Sequence, residues 1–112
     1  MKVLCLCQKG NMRSVALAFM LKKAYGVDAL AMGLQTSSPE TQRMLFAWCD
    51  WMILTSRRYL ALIPEEYRHK LKVWHVGTDR WFTGYAPDLV QKFQDFIQTD
   101  PVENWKEGRS DP

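Results

Sequence analysis

The chain has 112 residues, of which 47% are apolar and 24% charged, and its formal net charge is +3. This length and composition are typical of one globular domain whose core needs neither a disulfide nor a structural metal. Because the basic residues are scattered and no apolar run could span a membrane, we expect a cytoplasmic protein with no nucleic-acid partner and no membrane association.

The cysteines and histidines lack the spacing of a zinc site, and we therefore predict neither a metal nor a cofactor. Cys5 and Cys7 are two residues apart in an apparent strand, where a disulfide between them would be strained. Both are expected to be thiols in a reducing compartment.

The N-terminal half of the chain predicts two strand–helix units. Residues 2–7 form a nearly continuous apolar run, typical of a strand covered on both faces. Residues 14–25 are rich in helix formers and stop before Gly26, which suits a helix end. Residues 27–32 are a candidate second strand, and Ser38 is placed to cap a second helix.

The C-terminal half continues the alternation. Residues 51–55 predict a buried strand, residues 57–63 a short helix stopped by Pro64, and residues 72–76 a fourth strand. A loop then leads into a last helix over residues 87–98.

This order of elements predicts an α/β fold. We expect a single-domain three-layer sandwich, with a four-stranded parallel sheet of order 2-1-3-4 and helices on both faces. The domain should cover residues 1–99. Residues 100–112 are polar and contain proline and glycine, so we expect a loosely held C-terminal tail.

The segment between the first strand and the first helix, CQKGNMRS, has the composition of a phosphate-binding loop. Backbone N–H groups ahead of a helix N-terminus can bind a dianion, and glycine and asparagine tolerate the backbone angles that such a loop requires. The predicted phosphate ligands are Gln8, Lys9, Gly10, Asn11, Met12 and Arg13.

Cys7, at the start of this loop, is the predicted nucleophile. The helix dipole and Arg13 should stabilise its thiolate, and the planar guanidinium of Arg13 can bind two phosphate oxygens. Ser14 can donate its hydroxyl to the thiolate while it caps the helix. Sites in parallel sheets form at the carboxyl ends of strands, where this loop is expected.

The segment VLCLCQKGNMRSVALAFMLK resembles the start of the low-molecular-weight protein tyrosine phosphatases. The family also carries an aspartate general acid and then an aromatic residue ahead of its last helix, and the segment Asp79-Arg80-Trp81-Phe82 occupies that place. The resemblance covers about residues 1–98. It implies that Cys7 is the nucleophile, Arg13 the phosphate clamp, Ser14 the thiolate partner and Asp79 the acid.

Two positions depart from the family pattern. The family usually has Gly-Asn one place earlier than Gly10-Asn11, and it has Asp-Pro where this chain has Asp79-Arg80. An adjacent guanidinium favours the ionised form of Asp79, which is unhelpful for an acid. Asp88 is the rival for the role of acid.

The predicted function is hydrolysis of a phosphomonoester through a phosphocysteine intermediate, by a monomer or weak dimer. The substrate would be a phosphorylated protein or a small aryl phosphate, with Trp81 and Phe82 at the mouth of the site. Three alternatives remain open: an arsenate reductase that uses Cys7, a non-catalytic module that binds phosphate or a phosphoprotein, and a phosphocysteine carrier.

Overall fold

A computed structural model of the chain describes residues 1–8, 13–76 and 87–106. Its four strands form one all-parallel sheet of order β2-β1-β3-β4, which confirms the predicted α/β fold and strand order. The strands are β1 (Lys2–Cys7), β2 (Asp28–Gly33), β3 (Trp51–Leu54) and β4 (Leu71–Val73). The α-helices are α1 (Arg13–Tyr25), α2 (Pro39–Trp48) and α3 (Pro87–Thr99), and three short 3-10 helices cover Arg57–Leu62, Glu65–Lys70 and Val102–Asn104.

The sheet is covered on both faces, because β1 is apolar at every position after its first. Val3 and Cys5 pack on the face that carries α1 and α3, whereas Leu4 and Leu6 pack on the face that carries α2. Alternate residues of a strand point to opposite faces, so a central strand needs an unbroken apolar run. The run predicted as the first strand is therefore the centre of both halves of the core.

Two predicted helix ends are confirmed. Gly26 follows α1 with a φ of 65°, and its N–H donates to the carbonyl of Lys22 over 3.1 Å. A side chain at this position would be strained, because only glycine adopts this backbone without cost. At the start of α2, Oγ of Ser38 accepts from the N–H of Thr41 over 3.2 Å, and Pro39 occupies the first helical position.

The region between β3 and α3 differs in detail from the sequence prediction. The helix expected over residues 57–63 is a 3-10 helix, and a second one, Glu65–Lys70, was not predicted. Pro64 separates the two and leaves each too short for a stable α-helix. The strand expected over residues 72–76 instead covers Leu71–Val73. Beyond it, the N–H of Trp74 still donates to the carbonyl of Leu54, and the N–H of Val76 donates to the carbonyl of Thr55.

The predicted tail is wrong for residues 100–106, because this segment packs on the core. Trp105 is buried, with its ring centroid 5.6 Å from that of Trp74 in an edge-to-face arrangement. The indole N–H of Trp105 donates to the carbonyl of Asp100 over 3.0 Å. A large aromatic ring with a satisfied N–H outweighs the polar composition around it. Residues 107–112 lie outside the described part of the chain.

The amino end of the sheet holds a buried polar group. Lys70 is fully buried, and its Nζ donates to the carbonyl of Cys49 over 2.9 Å. Next to it along the sheet, the backbone N–H of Lys2 donates to Oδ2 of Asp50 over 2.8 Å. These bonds compensate the desolvation of the charged groups.

Among the described residues, the longest helices have 13 residues, and none combines the length and apolar character needed to cross a bilayer.

Candidate functional site

The carboxyl end of β1 places Cys7 against the N-terminus of α1. The chain leaves β1 for β2 on one side, and β3 lies on the other, so Cys7 is at the switch point of the sheet. Open parallel sheets bind ligands at such points, because the loops that follow the two strands diverge there. The structure thus places the predicted nucleophile where this fold forms sites.

Cys7 and Ser14 are in direct contact. The Sγ atom of Cys7 lies 3.1 Å from Oγ of Ser14, and both residues are buried. Either atom can donate while Cys7 is a thiol, but a thiolate has no proton to give, so Ser14 is then the donor. A hydrogen bond to the charged form of a group favours that form. The contact therefore suits a cysteine that acts as an anion.

Arg13 is the first residue of α1 and is almost completely buried, with 1% of its surface exposed. The first turn of α1 contains no acidic residue, although acidic side chains are the ones that a helix N-terminus stabilises. The positive charge of the buried guanidinium and the positive end of the helix dipole thus reinforce each other. This combination creates a positive potential that favours a bound anion.

Gln8, the first of the predicted phosphate ligands, is held from two sides. Its Oε1 accepts from the hydroxyl of Tyr59 over 2.7 Å, and its Nε2 donates to Oε1 of Gln35 over 2.7 Å. Its carbonyl also accepts from the N–H of Gln35 over 2.9 Å. The sequence interpretation missed both Tyr59 and Gln35. The available signal was that each follows a strand beside β1.

Other predicted site residues lie outside the described part of the chain, and the roles expected for them stay predictions. They are Lys9, Gly10, Asn11, Met12, Asp79, Trp81 and Phe82. The rival acid, Asp88, is exposed in the first turn of α3. A carboxylate there is explained by its favourable interaction with the helix dipole.

The carboxyl ends of β3 and β4 extend the site region away from β1. Thr55 follows β3, and its hydroxyl donates to the carbonyl of Leu6 over 2.9 Å. His75 follows β4, and its Nδ1 accepts from the backbone N–H of Arg57 over 3.0 Å. The neutral ring therefore carries its proton on Nε2. This hydrogen bond fixes the orientation of the His75 ring.

The electrostatic surroundings of His75 are positive. Partial burial lowers the pKa of its imidazole, and the charges of Arg57, Arg13 and Lys92 lower it further. Arg13 thus acts electrostatically on the end of β4 as well as on the start of α1.

The other two cysteines are inert core thiols. Burial raises the pKa of Cys5 far above the ordinary value of a thiol and raises that of Cys49 to about 11. Cys49 lies at the amino end of the sheet, since the next residue donates its N–H to the carbonyl of Lys2. The rise along β1 puts that end about 16 Å from Cys7.

The described residues hold no group of three or more histidine, cysteine or acidic side chains arranged to bind a metal. No protein-family model matches the chain, and no curated protein and no solved structure matches it either. A function for this chain therefore has to come from the chemistry of the site itself.

Proposed function

We propose that this protein is a cysteine-dependent phosphomonoester hydrolase of the low-molecular-weight protein tyrosine phosphatase type. The observation that carries the proposal is the buried 3.1 Å contact between Sγ of Cys7 and Oγ of Ser14 at the junction of β1 and α1. The buried Arg13 beside this contact supplies the positive charge that a phosphate dianion requires. Substrates would be phosphorylated proteins or small aryl phosphates.

The reaction would proceed in two steps. The thiolate of Cys7 attacks phosphorus, so that a sulfur–phosphorus bond forms while the ester oxygen–phosphorus bond breaks. Asp79 gives its proton to the leaving oxygen, and in the second step it takes a proton from the water that attacks the phosphocysteine. Arg13 binds two equatorial oxygens in both steps, and Ser14 stabilises Cys7 as it leaves.

The arsenate reductase alternative needs a second thiol that can reach Cys7. Cys49 is buried at the opposite end of the sheet, and Cys5 is fixed two residues away within β1. Neither can form a disulfide with Cys7 without movement of the strand. This geometry favours phosphate hydrolysis over a reductase cycle within one chain.

The decisive experiment is a comparison of p-nitrophenyl phosphate hydrolysis by four proteins. We expect turnover by the wild type, none by Cys7→Ser, and a greatly reduced rate in Asp79→Asn. Cys49→Ala, which removes a thiol remote from the site, is the matched control and should retain turnover. The phosphocysteine should also accumulate in Asp79→Asn, where mass spectrometry can locate the phosphate on Cys7.

Retained hydrolysis of p-nitrophenyl phosphate by Cys7→Ser would contradict the proposal. If the wild type binds phosphate and shows no turnover across the pH range, the chain is instead a non-catalytic binding module that uses the same loop.

A further inference from the structure

A cavity lies between the end of β4 and the exposed side of α3. Its volume is about 310 Å³, and it is lined by His75, Lys92, Asp95, Phe96 and Thr99. Since a water molecule occupies about 30 Å³ in the liquid, the space can hold a small charged side chain with some of its hydration. None of these residues takes part in the hydrolysis proposed above.

The cavity is lined by a cation, Lys92, and a carboxylate, Asp95, and the charges that act on its His75 are positive. Lys92 lines it directly, and the backbone of Arg57 is bonded to His75 on its wall. Within the described part of the chain, neither Lys92 nor Arg57 forms an ion pair. Of the described residues, Asp95 supplies the carboxylate on the wall, and it accepts a hydrogen bond from Nε2 of Gln91 over 2.8 Å.

His75 presents a donor in this setting. Its Nδ1 is occupied by the N–H of Arg57, so the proton on Nε2 is available to an acceptor. The positive charges of Arg57, Arg13 and Lys92 favour the neutral form of the imidazole. An anion bound beside the ring would offset part of this positive charge. A donor, the Nε2–H of His75, and a cation, Lys92, thus line a space large enough for a carboxylate.

The cavity has a defined relation to Cys7. The N–H of Thr55 donates to the carbonyl of Leu6, and the N–H of Val76 donates to the carbonyl of Thr55. The carboxyl ends of β1, β3 and β4 therefore lie along the same edge of the sheet. His75 follows β4, which is two strand spacings, about 10 Å, from β1, the strand that ends in Cys7.

We propose that the cavity lined by His75 and Lys92 is a second anion subsite, which binds an acidic residue that flanks the phosphorylated residue of a protein substrate. This inference rests on the proposed function, because it assigns the substrate class of the same site. The flanking carboxylate would bind Lys92 and Nε2 of His75 while the phosphate occupies the loop after Cys7.

The test compares two phosphotyrosine peptides that differ only in glutamate or glutamine beside the phosphotyrosine. At low ionic strength we expect the wild type to show a roughly fivefold higher kcat/KM for the glutamate peptide, mainly through KM. Lys92→Gln should lower this preference towards unity and leave hydrolysis of p-nitrophenyl phosphate unchanged. Lys23→Gln, which removes an exposed lysine from the last turn of α1, is the matched control.

An equal loss of preference in both lysine variants, or no preference in the wild type, would overturn the subsite. Binding of the same peptides to Cys7→Ser, followed by fluorescence anisotropy, separates the two proposals. A preference for the glutamate peptide that depends on Lys92, without turnover by the wild type, would support the subsite and reject the hydrolase. Turnover of p-nitrophenyl phosphate without any preference between the peptides would support the hydrolase and reject the subsite.

Discussion

The hydroxyl of Tyr59 donates to Oε1 of Gln8 over 2.7 Å, and this bond joins residues 51 positions apart in the chain. It ties the 3-10 helix after β3 to the residue that follows Cys7 in the candidate phosphate loop. The amide of Gln8 continues the network to Gln35 after β2. The start of the loop is thereby positioned by both strands that flank β1, which limits its movement when no anion is bound.

Removal of this bond in Tyr59→Phe should weaken phosphate binding. A lost hydrogen bond of this kind costs about 1 kcal/mol, so we expect a roughly fivefold higher dissociation constant for phosphate, measured by calorimetry. The matched control is Tyr67→Phe, because the Tyr67 ring packs against Phe46 on the face of α2, with 5.5 Å between the ring centroids. Equal effects of the two variants would contradict a positioning role for Tyr59.

Ser14→Ala should impair the nucleophile more than it impairs binding. The substitution removes the hydroxyl 3.1 Å from Sγ of Cys7 but leaves Arg13 and the helix N-terminus in place. We expect kcat for p-nitrophenyl phosphate to fall about tenfold or more while KM changes little, because the lost hydrogen bond is to the sulfur anion. Alkylation of Cys7 by iodoacetamide at neutral pH should slow in parallel. Unchanged alkylation would show that Ser14, the second residue of α1, does not stabilise the thiolate.

The stability of the protein should fall in mild acid because of His75. The pKa of this imidazole is held below its usual value, so the unfolded chain binds a proton at a higher pH than the folded chain does. The free energy of unfolding therefore decreases as the pH drops from about 6.5 towards the lowered pKa. In His75→Asn, whose amide oxygen can still accept from the N–H of Arg57, this decrease should be smaller.

Urea denaturation at several pH values between about 5 and 7 measures the effect. His69→Asn removes the other, exposed histidine and serves as the control. If the pH dependence of the free energy of unfolding persists in His75→Asn and disappears in His69→Asn, it comes from His69, and the prediction for His75 is wrong.

Oxidation of Cys7 should not produce a disulfide within the chain. Cys5 is on the same strand and the same face, where the two Cβ atoms lie about 7 Å apart, whereas a disulfide needs about 3.8 Å. Cys49 is buried at the other end of the sheet. Treatment with peroxide should therefore add oxygen to Cys7, and glutathione should convert the product to a mixed disulfide. An internal disulfide of Cys7 in a peptide map would contradict this geometry.

Trp105→Ala should destabilise the fold although the residue lies beyond the last α-helix. The substitution removes a buried ring that packs on Trp74 and lies 4.9 Å from Nζ of Lys72. A loss of about 3–5 kcal/mol in the free energy of unfolding is expected from the cavity and the lost contacts. Asn104→Ala, at an exposed position beside it, should change stability little. A small effect of the tryptophan substitution would show that the segment 100–106 is dispensable.

The strand order and the meeting of Cys7 with Ser14 could be predicted because local patterns determine both. A continuous apolar run, a short loop and a set of helix formers bring a strand end to a helix start. The contacts of Gln8 with Tyr59 and Gln35 could not be predicted in this way. They depend on how three strand ends meet, and no local pattern records that arrangement.

The burial of Lys70 and Trp105 could not be predicted from the sequence either. Lysine is rarely fully buried, and here its burial depends on a carbonyl supplied by Cys49, 21 residues away. Trp105 sits in a polar segment whose composition predicts disorder, and one aromatic side chain decides the outcome. Single long-range contacts of this kind are invisible to composition and periodicity.

The buried lysine at the amino end of the sheet also affects how this fold can evolve. Lys70 and its carbonyl partner lie a full strand length from Cys7, a separation at which the effects of substitutions are usually additive. Variation in the loops at the carboxyl end can alter substrate preference without disturbing that anchor. Stabilising changes near Lys70 can in turn accumulate without affecting the chemistry, and they can offset the cost of new residues around the site.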